Sequence, residues 1–353
     1  MSALCKSWDI SVAICTYNRC QSLLSALDSV LSQDANGILF EVIVVDNNSR
    51  DDTKHVVDSF IGRGHSNLRY TFEPRQGLSH ARNAAVAEAR SGIVAFIDDD
   101  VRVARNWVST IKRAFDDHPE AAWVGGKVLP CWPSLPPSWL TRDQWSPLAI
   151  VDYGDLPFYT SDSRQTCLVG ANLAIRRDVL EQCGGFEPNV QRVKDSIGSM
   201  EDHELQMRLW KIHRRGLYVP ELVVFSDVAA DRLCKRYHRR WHFGHGRFYA
   251  VAHLEELERS NIGSLFGVSA HVYRSAVRDA LGWLAWVVPG RFSRAFTYET
   301  KLWFFAGFWS IHHRNFVERG HGTHVGELGR FAWLLTRRLF HRPTVGRTPP
   351  RLT

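Results

Sequence analysis

The run Ile93–Ile97, IVAFI, is apolar at every position and is followed without a spacer by Asp98, Asp99 and Asp100. A strand with no polar alternation must be covered on both faces, which points to a parallel sheet between helical layers rather than a sheet with one wet face. Three adjacent carboxylates repel one another and resist burial, so the chain has to leave the core at Asp98, where water or a cation can reach them. A magnesium or manganese site is the chemical reading of the triplet. A solvated acidic loop is the alternative.

The segments before it extend the pattern. Asp9–Cys15, Phe40–Asn48, Leu68–Phe72 and Gly92–Ile97 are short β-rich runs, separated by segments of helical composition at Cys20–Gln33, Asp51–Gly62 and Leu78–Arg90. This β-α-β-α order predicts an α/β fold with a largely parallel sheet. With 353 residues and 44% apolar content the chain can bury a sizeable core, divided into one large and one small unit.

Doubly wound sheets bind ligands beyond the carboxyl ends of their strands. That rim receives Thr16, Tyr17, Asn18 and Arg19 from the first run, Asp46, Asn47, Asn48 and Ser49 from the second, and the Asp triplet from the fourth. Asp46 offers an acceptor to a base or ribose, Arg19 and Arg82 offer cations to phosphates, and Gly77 admits a close backbone approach. Taken alone, Asp46–Asn48 reads equally as a turn or helix cap. No GxGxxG follows the first strand and no GxxxxGK[ST] occurs, which argues against dinucleotide and P-loop chemistry.

The formal net charge is +7 and the pI about 9.1. Cations crowd the run Arg232–Arg247, RLCKRYHRRWHFGHGR, which suits nucleic acid, phosphates or an anionic membrane surface without choosing among them. Seven scattered cysteines without a CxxC pair fit a reducing cytosol better than a disulfide framework or zinc cluster. The amino-terminal stretch lacks the layout of a secretion signal, and no run reaches the roughly 20 apolar residues of a membrane-spanning helix.

SVAICTYNR, VIVVDNNSRDDT, RQGLSHARNAAVAEARSGIVAFIDDD, LVGANLAIRRDVLEQCGGFEP and MEDHELQMRLWK stand in an order that resembles the inverting family 2 glycosyltransferases of the GT-A fold, over about Ile10 to Phe225. The resemblance implies a Rossmann-like nucleotide-sugar-binding domain over residues 1–255 and a helical extension over 256–353. It implies that Thr16 and Asp46 recognise the base, with Asn18, Arg19 and Asp99 also at the nucleotide. Arg82 then lies near the pyrophosphate, Asp98 meets the ribose or metal, Asp100 coordinates Mg or Mn, and Asp202 is the catalytic base beside Glu201. A UDP-sugar donor, a glycan or lipid-linked acceptor and no nucleic acid follow from it, in the cytoplasm or peripherally on the inner face of its membrane. For Asp202 the bland reading is a first-turn acid favouring the helix dipole, and both roles are compatible.

Gly170 and Ala171 read as leaving room beside a donor sugar, with Asn172 available to bond it, while Gly184–Phe186 turns the chain. LPCWPSLPPSWLTRDQW (Leu129–Trp145) reads as an irregular excursion whose Trp132, Trp139 and Trp145 either stack on an acceptor or pack inward. YHRRW (Tyr237–Trp241) has the spacing of the family's QxxRW motif with Tyr in place of Gln, which sets Arg240 and Trp241 near the diphosphate and acceptor sugar and argues against polymerisation. His242 is a candidate nitrogen ligand to the metal. Ser264–Val288 has helical period, and Leu302–Trp309 and Phe331–Phe340 join apolar bulk to cations, as membrane-interface segments or as helices packed on the domain. Pro349 and Pro350 mark a disordered tail. Two other classes fit parts of the pattern: a nucleotidyltransferase, and a basic nucleic-acid or membrane-binding module without catalysis.

Overall fold

The computed structural model describes residues 8–191, 200–252 and 264–318, together with Gly326, Leu328 and Gly329. The readings of Phe331–Phe340 and of the tail at Pro349 and Pro350 lie outside the described residues.

The first half alternates as expected: β1 (Ile10–Thr16), α1 (Cys20–Leu31), β2 (Phe40–Asp46), α2 (Thr53–Gly62), β3 (Leu68–Phe72), α3 (Leu78–Glu88) and β4 (Ile93–Asp98). The strands pair in parallel in the order β3-β2-β1-β4. Because side chains alternate across a strand, Val12 and Ile14 join the layer of α1 and α2, whereas Ala13 joins the opposite layer with Ala81 and Ala85 of α3. Both faces are thus covered, which is why these runs carry no polar alternation.

Beyond β4 the sheet becomes mixed. The chain continues through β5 (Val101–Val103), α4 (Trp107–Asp117), β6 (Ala121–Cys131), β7 (Phe158–Thr160), β8 (Asn172–Arg176), α5 (Arg177–Gln182), α6 (Glu201–Lys211) and β9 (Arg215–Asp227). β8 inserts antiparallel between β4 and β6, giving the order β3-β2-β1-β4-β8-β6-β9-β5 with β7 on β9. Leu205, Leu209 and Trp210 of α6 cover the same face as α3, so the first turn of α6 is carried to the rim where β4 ends.

The C-terminal layer comprises α7 (Lys235–Ala252), a hairpin of β10 (Ser264–Leu265) and β11 (Val268–Ser269), α8 (Ala270–Val287) and α9 (Phe292–Glu318). The helix expected from Ser264 therefore begins only at Ala270. Phe266 (φ 50°) and Gly267 (φ 75°) form a two-residue turn with both central residues left-handed, a geometry that matches the twist of a hairpin. Of the two readings of Leu302–Trp309, packing is observed: Gly307 and Phe308 are buried, and Phe308 and Ile311 cluster with Ala250 of α7 and Val268. The helices meet closely because a side chain at Gly307 would collide with the Phe243 backbone and one at Gly246 with the Phe304 carbonyl. α8 instead exposes an apolar stripe, with Val277 60%, Leu281 63% and Leu284 47% accessible. Among the described residues no helix is long and apolar enough to cross a membrane.

This packing predicts opposite outcomes at two glycines. Gly307→Val is expected to lower unfolding free energy by about 1–3 kcal/mol through overpacking. Gly62→Ala, with open space around the added carbon, is expected to be neutral or stabilising by up to about 1 kcal/mol. Urea denaturation of the two variants checks both.

Candidate active site

Parallel register builds the site. It sets Thr16 beside Asp46 and Cys15 beside Asp98, so loops from β1, β2 and β4 leave the sheet together. A cavity of about 960 Å³ opens over this rim. Thr16, Arg19 and Asp98–Asp100 form its floor, Arg82 enters from α3, and Glu201 and Asp202 come from the first turn of α6. Ala171 lies on the wall, and α7 closes the far side with Arg240 and Trp241. These expected residues are brought together; Asn18, Asp46, Gly170, Asn172 and His242 are not on the cavity wall.

Two arginines organise the carboxylates. Arg19 Nη1 donates to Asp99 Oδ1 at 3.0 Å and Asp100 Oδ2 at 2.8 Å, and the Thr16 hydroxyl donates to Asp99 Oδ2 at 2.7 Å. Burial pushes the Asp99 carboxyl up to about 6, against the Arg19 charge that lowers it and with the Asp100 charge adding to the rise. Arg82 is buried, donates to Glu201 Oε1 at 3.3 Å, pairs with Asp202 and lies 3.7 Å from Asp98 Oδ1. Burial opposes its charge, but Asp202, Glu201 and Asp98 outweigh that cost and hold the guanidinium pKa above its ordinary value. Phe186 and Phe96 lie under it at 5.2 and 6.0 Å.

Several expectations need correction. Asn172 accepts from Trp107 Nε1 at 2.8 Å and donates to the Lys127 and Leu222 carbonyls at 2.9 Å each. It braces β8 against its neighbours and is buried away from the cavity. The space at Gly170 is filled by the Arg82–Asp202 pair, which an added side chain would strike; its N–H donates to Asp202 Oδ2 at 2.8 Å. Asp46 accepts the Ser49 N–H and the Tyr70 hydroxyl, both at 2.8 Å, which fixes the loop after β2 as the turn reading expects. Asn18, left-handed at φ 51°, accepts the Arg50 N–H at 2.7 Å and likewise locks loops together. Gly77 is approached by the Gln191 side chain. His242 lies off the cavity wall with its ring edge-on to Trp241, and burial, then the neighbouring His245 and His238, lower its pKa to about 3. His245, three residues on, lines the cavity instead.

Other wall residues were not singled out from the sequence. Arg232 comes within 3.8 Å of Asp100, and Arg236 also lines the cavity; the basic run containing both was legible only as composition. Asp152, ion-paired to Lys127 at 3.7 Å and Arg142 at 3.3 Å, had no local signal. Of the three tryptophans only Trp145 lines the cavity, under the Arg142 guanidinium. Trp139 packs edge-on to His238 and Phe296, and Trp132 packs in the same cluster. Burial pushes the Cys15 thiol on the wall up to about 12, which keeps it protonated. Among the described residues no three or more His, Cys, Asp or Glu side chains converge as metal ligands. Asp98 and Asp100 supply two carboxylates to one wall.

Residues 11–184 match the profile of Glycosyl transferase family 2. The chain belongs to that family. A glucosyl-dolichyl phosphate glucuronosyltransferase of Haloferax volcanii is 26% identical over 57% of this chain and 63% of its own length. The glycosyltransferase AglE of the same organism is 31% identical over 51% of this chain and 56% of its own. The alignments thus span a little over half the length of these curated relatives. A mannosyltransferase from Pyrobaculum calidifontis, solved with GDP-Man and Mn2+, superposes at a TM-score of 0.51 with 18% identity, covering 94% of this chain and 81% of that one. The likeness is one of fold, and it identifies the sheet of this family 2 domain as GT-A.

The raised Asp99 pKa has a signed consequence. Relative to an ordinary carboxyl near 3.8, the folded state favours the protonated form, so stability from this group is full below about 3.8 and is lost as pH rises through about 6. Asp99→Asn is expected to flatten the fall in stability between pH 4 and pH 7, read by urea denaturation of both proteins across that range.

Proposed function

We propose that this protein transfers a sugar from a nucleoside diphosphate sugar, a UDP-sugar in the first instance, to a hydroxyl of a glycan or lipid-linked acceptor, with inversion at the anomeric carbon. The observation that carries the reading is Asp202: a carboxylate on the cavity wall at a helix N-terminus, oriented by Arg82 and the Gly170 N–H, in the same cavity as Asp98 and Asp100. Asp202 takes the proton of the acceptor hydroxyl as its oxygen bonds to the anomeric carbon. The bond from that carbon to the donor diphosphate breaks, and its electron pair leaves with the nucleoside diphosphate. One displacement needs no enzyme nucleophile, in keeping with a Cys15 thiol that stays protonated.

Asp98 and Asp100 fit a divalent cation, because magnesium-type ions are commonly held by one or two carboxylates completed by substrate phosphates. Bound there, the cation would neutralise charge developing on the leaving diphosphate. Thr16 and Arg19 are placed for the nucleotide, and Arg240 and Trp241 for the diphosphate and acceptor sugar. The name of one relative, a glucosyl-dolichyl phosphate glucuronosyltransferase, and a fold neighbour solved with GDP-Man and Mn2+ support this assignment. Contact with a membrane surface is part of the proposal only through a lipid-linked acceptor.

Calorimetric titration with UDP, GDP and nucleotide sugars, with and without Mn, tests the donor side. Binding of one nucleotide should depend on Mn and be lost in Asp98→Ala and Asp100→Ala; equal binding in those variants would remove the metal assignment. Asp202→Asn should keep nucleotide affinity and the fold while lowering kcat by about 10²–10⁴. Normal turnover in that variant would dismiss Asp202 as the base.

A further inference from the structure

A second cavity, about 610 Å³, lies between α7 and α9. Along α7, Arg236, Arg240, Phe243, Arg247 and Val251 recur at three- and four-residue spacing and so share one helix face. All five line this groove, and α9 adds Trp303, Ile311 and Arg314 opposite them. Arg236 and Arg240 also line the catalytic cavity, which makes them a common wall between the two spaces.

We propose that this groove binds the phosphate and adjoining apolar chain of a lipid-phosphate-linked acceptor, presenting the acceptor's sugar to the catalytic cavity; the inference rests on the transferase reading above. Among the described residues Arg236, Arg240 and Arg247 have no carboxylate partner, in contrast to Arg239, which pairs with Glu299 at 2.6 Å. Guanidiniums crowded along one helix face repel one another, and a phosphate relieves that repulsion with charge-assisted, often bidentate hydrogen bonds. A free phosphate or diphosphate would use these cations and leave Phe243, Val251 and Trp303 wet. An uncharged lipid would use the apolar side and leave the arginines uncompensated. An amphiphile with a phosphate at one end satisfies both, and the shared wall sets that end beside the cavity holding Asp202.

The test is calorimetry on the full chain with farnesyl phosphate, inorganic phosphate and farnesol, alongside vesicles of phosphatidylglycerol. Arg247→Ala and Arg314→Ala line only the groove and serve as variants. Farnesyl phosphate is expected to bind at least tenfold more tightly than inorganic phosphate or farnesol. The double variant should lose at least tenfold of that affinity while binding nucleotide and melting as the parent does. Equal affinity for inorganic phosphate, equal affinity for farnesol, equally tight binding to phosphatidylglycerol vesicles, or unchanged binding by the variants would each overturn the proposal. Loss of the transferase reading has a separate signature, the failure of every nucleotide to bind with Mn, so the two failures are distinguishable.

Discussion

The site depends on one buried cation. Arg82 sits on α3 with almost no solvent contact, and a guanidinium there is tolerable only if carboxylates compensate it. They arrive from two distant parts of the chain: Asp98 at the end of β4, and Glu201 and Asp202 at the start of α6. The arrangement therefore ties three elements to one point and sets the direction of the Asp202 oxygens. Gly170 completes it by offering an N–H and no side chain where the pair lies. Arg19 repeats the device on the other side of the floor with Asp99 and Asp100. Five carboxyl groups then face two guanidiniums, one buried and one partly exposed, and the floor keeps an acidic surplus opposite an arginine-bearing wall.

Much of the first half was legible because its signals are local. The continuous apolar stretches within β2 and β4 state double-sided burial directly, and the segments between the strands had only to be helical. The order β4-β8-β6-β9 was not legible, since antiparallel insertion of β8 is decided by pairing with residues about 80 positions away, as in Ile93 with Arg176. The same distinction runs through the site. Asp98–Asp100, Arg82, Asp202, Arg240 and Trp241 were recognisable as motif positions and do meet at one cavity.

The expected residues that lie off the cavity wall share a cause. Asn172 was polar and adjacent to a candidate sugar position, but its partner Trp107 lies 65 residues earlier, and only the fold shows that its amide is consumed. Asp46 and Asn18 belong to loops whose own backbone donors claim them. His242 and His245 are indistinguishable by composition; their helical positions put His245 on the cavity wall and leave His242 off it. Burial also lowers the neighbouring His238 to about 4, so both imidazoles are neutral at ordinary pH.

The close glycine contacts between α7 and α9 give the C-terminal layer a meaning that a boundary drawn after the sheet would hide. α7 is at once the far wall of the cavity and one half of a helix pair clamped backbone to backbone at Gly246 and Gly307. A fragment ending at β9 would retain the acidic floor and lose the opposite bank altogether. The aperture available to an incoming molecule is then gauged by a helix that α9 holds in place. A change in how these two helices seat would retune which molecules fit without altering a single residue of the sheet.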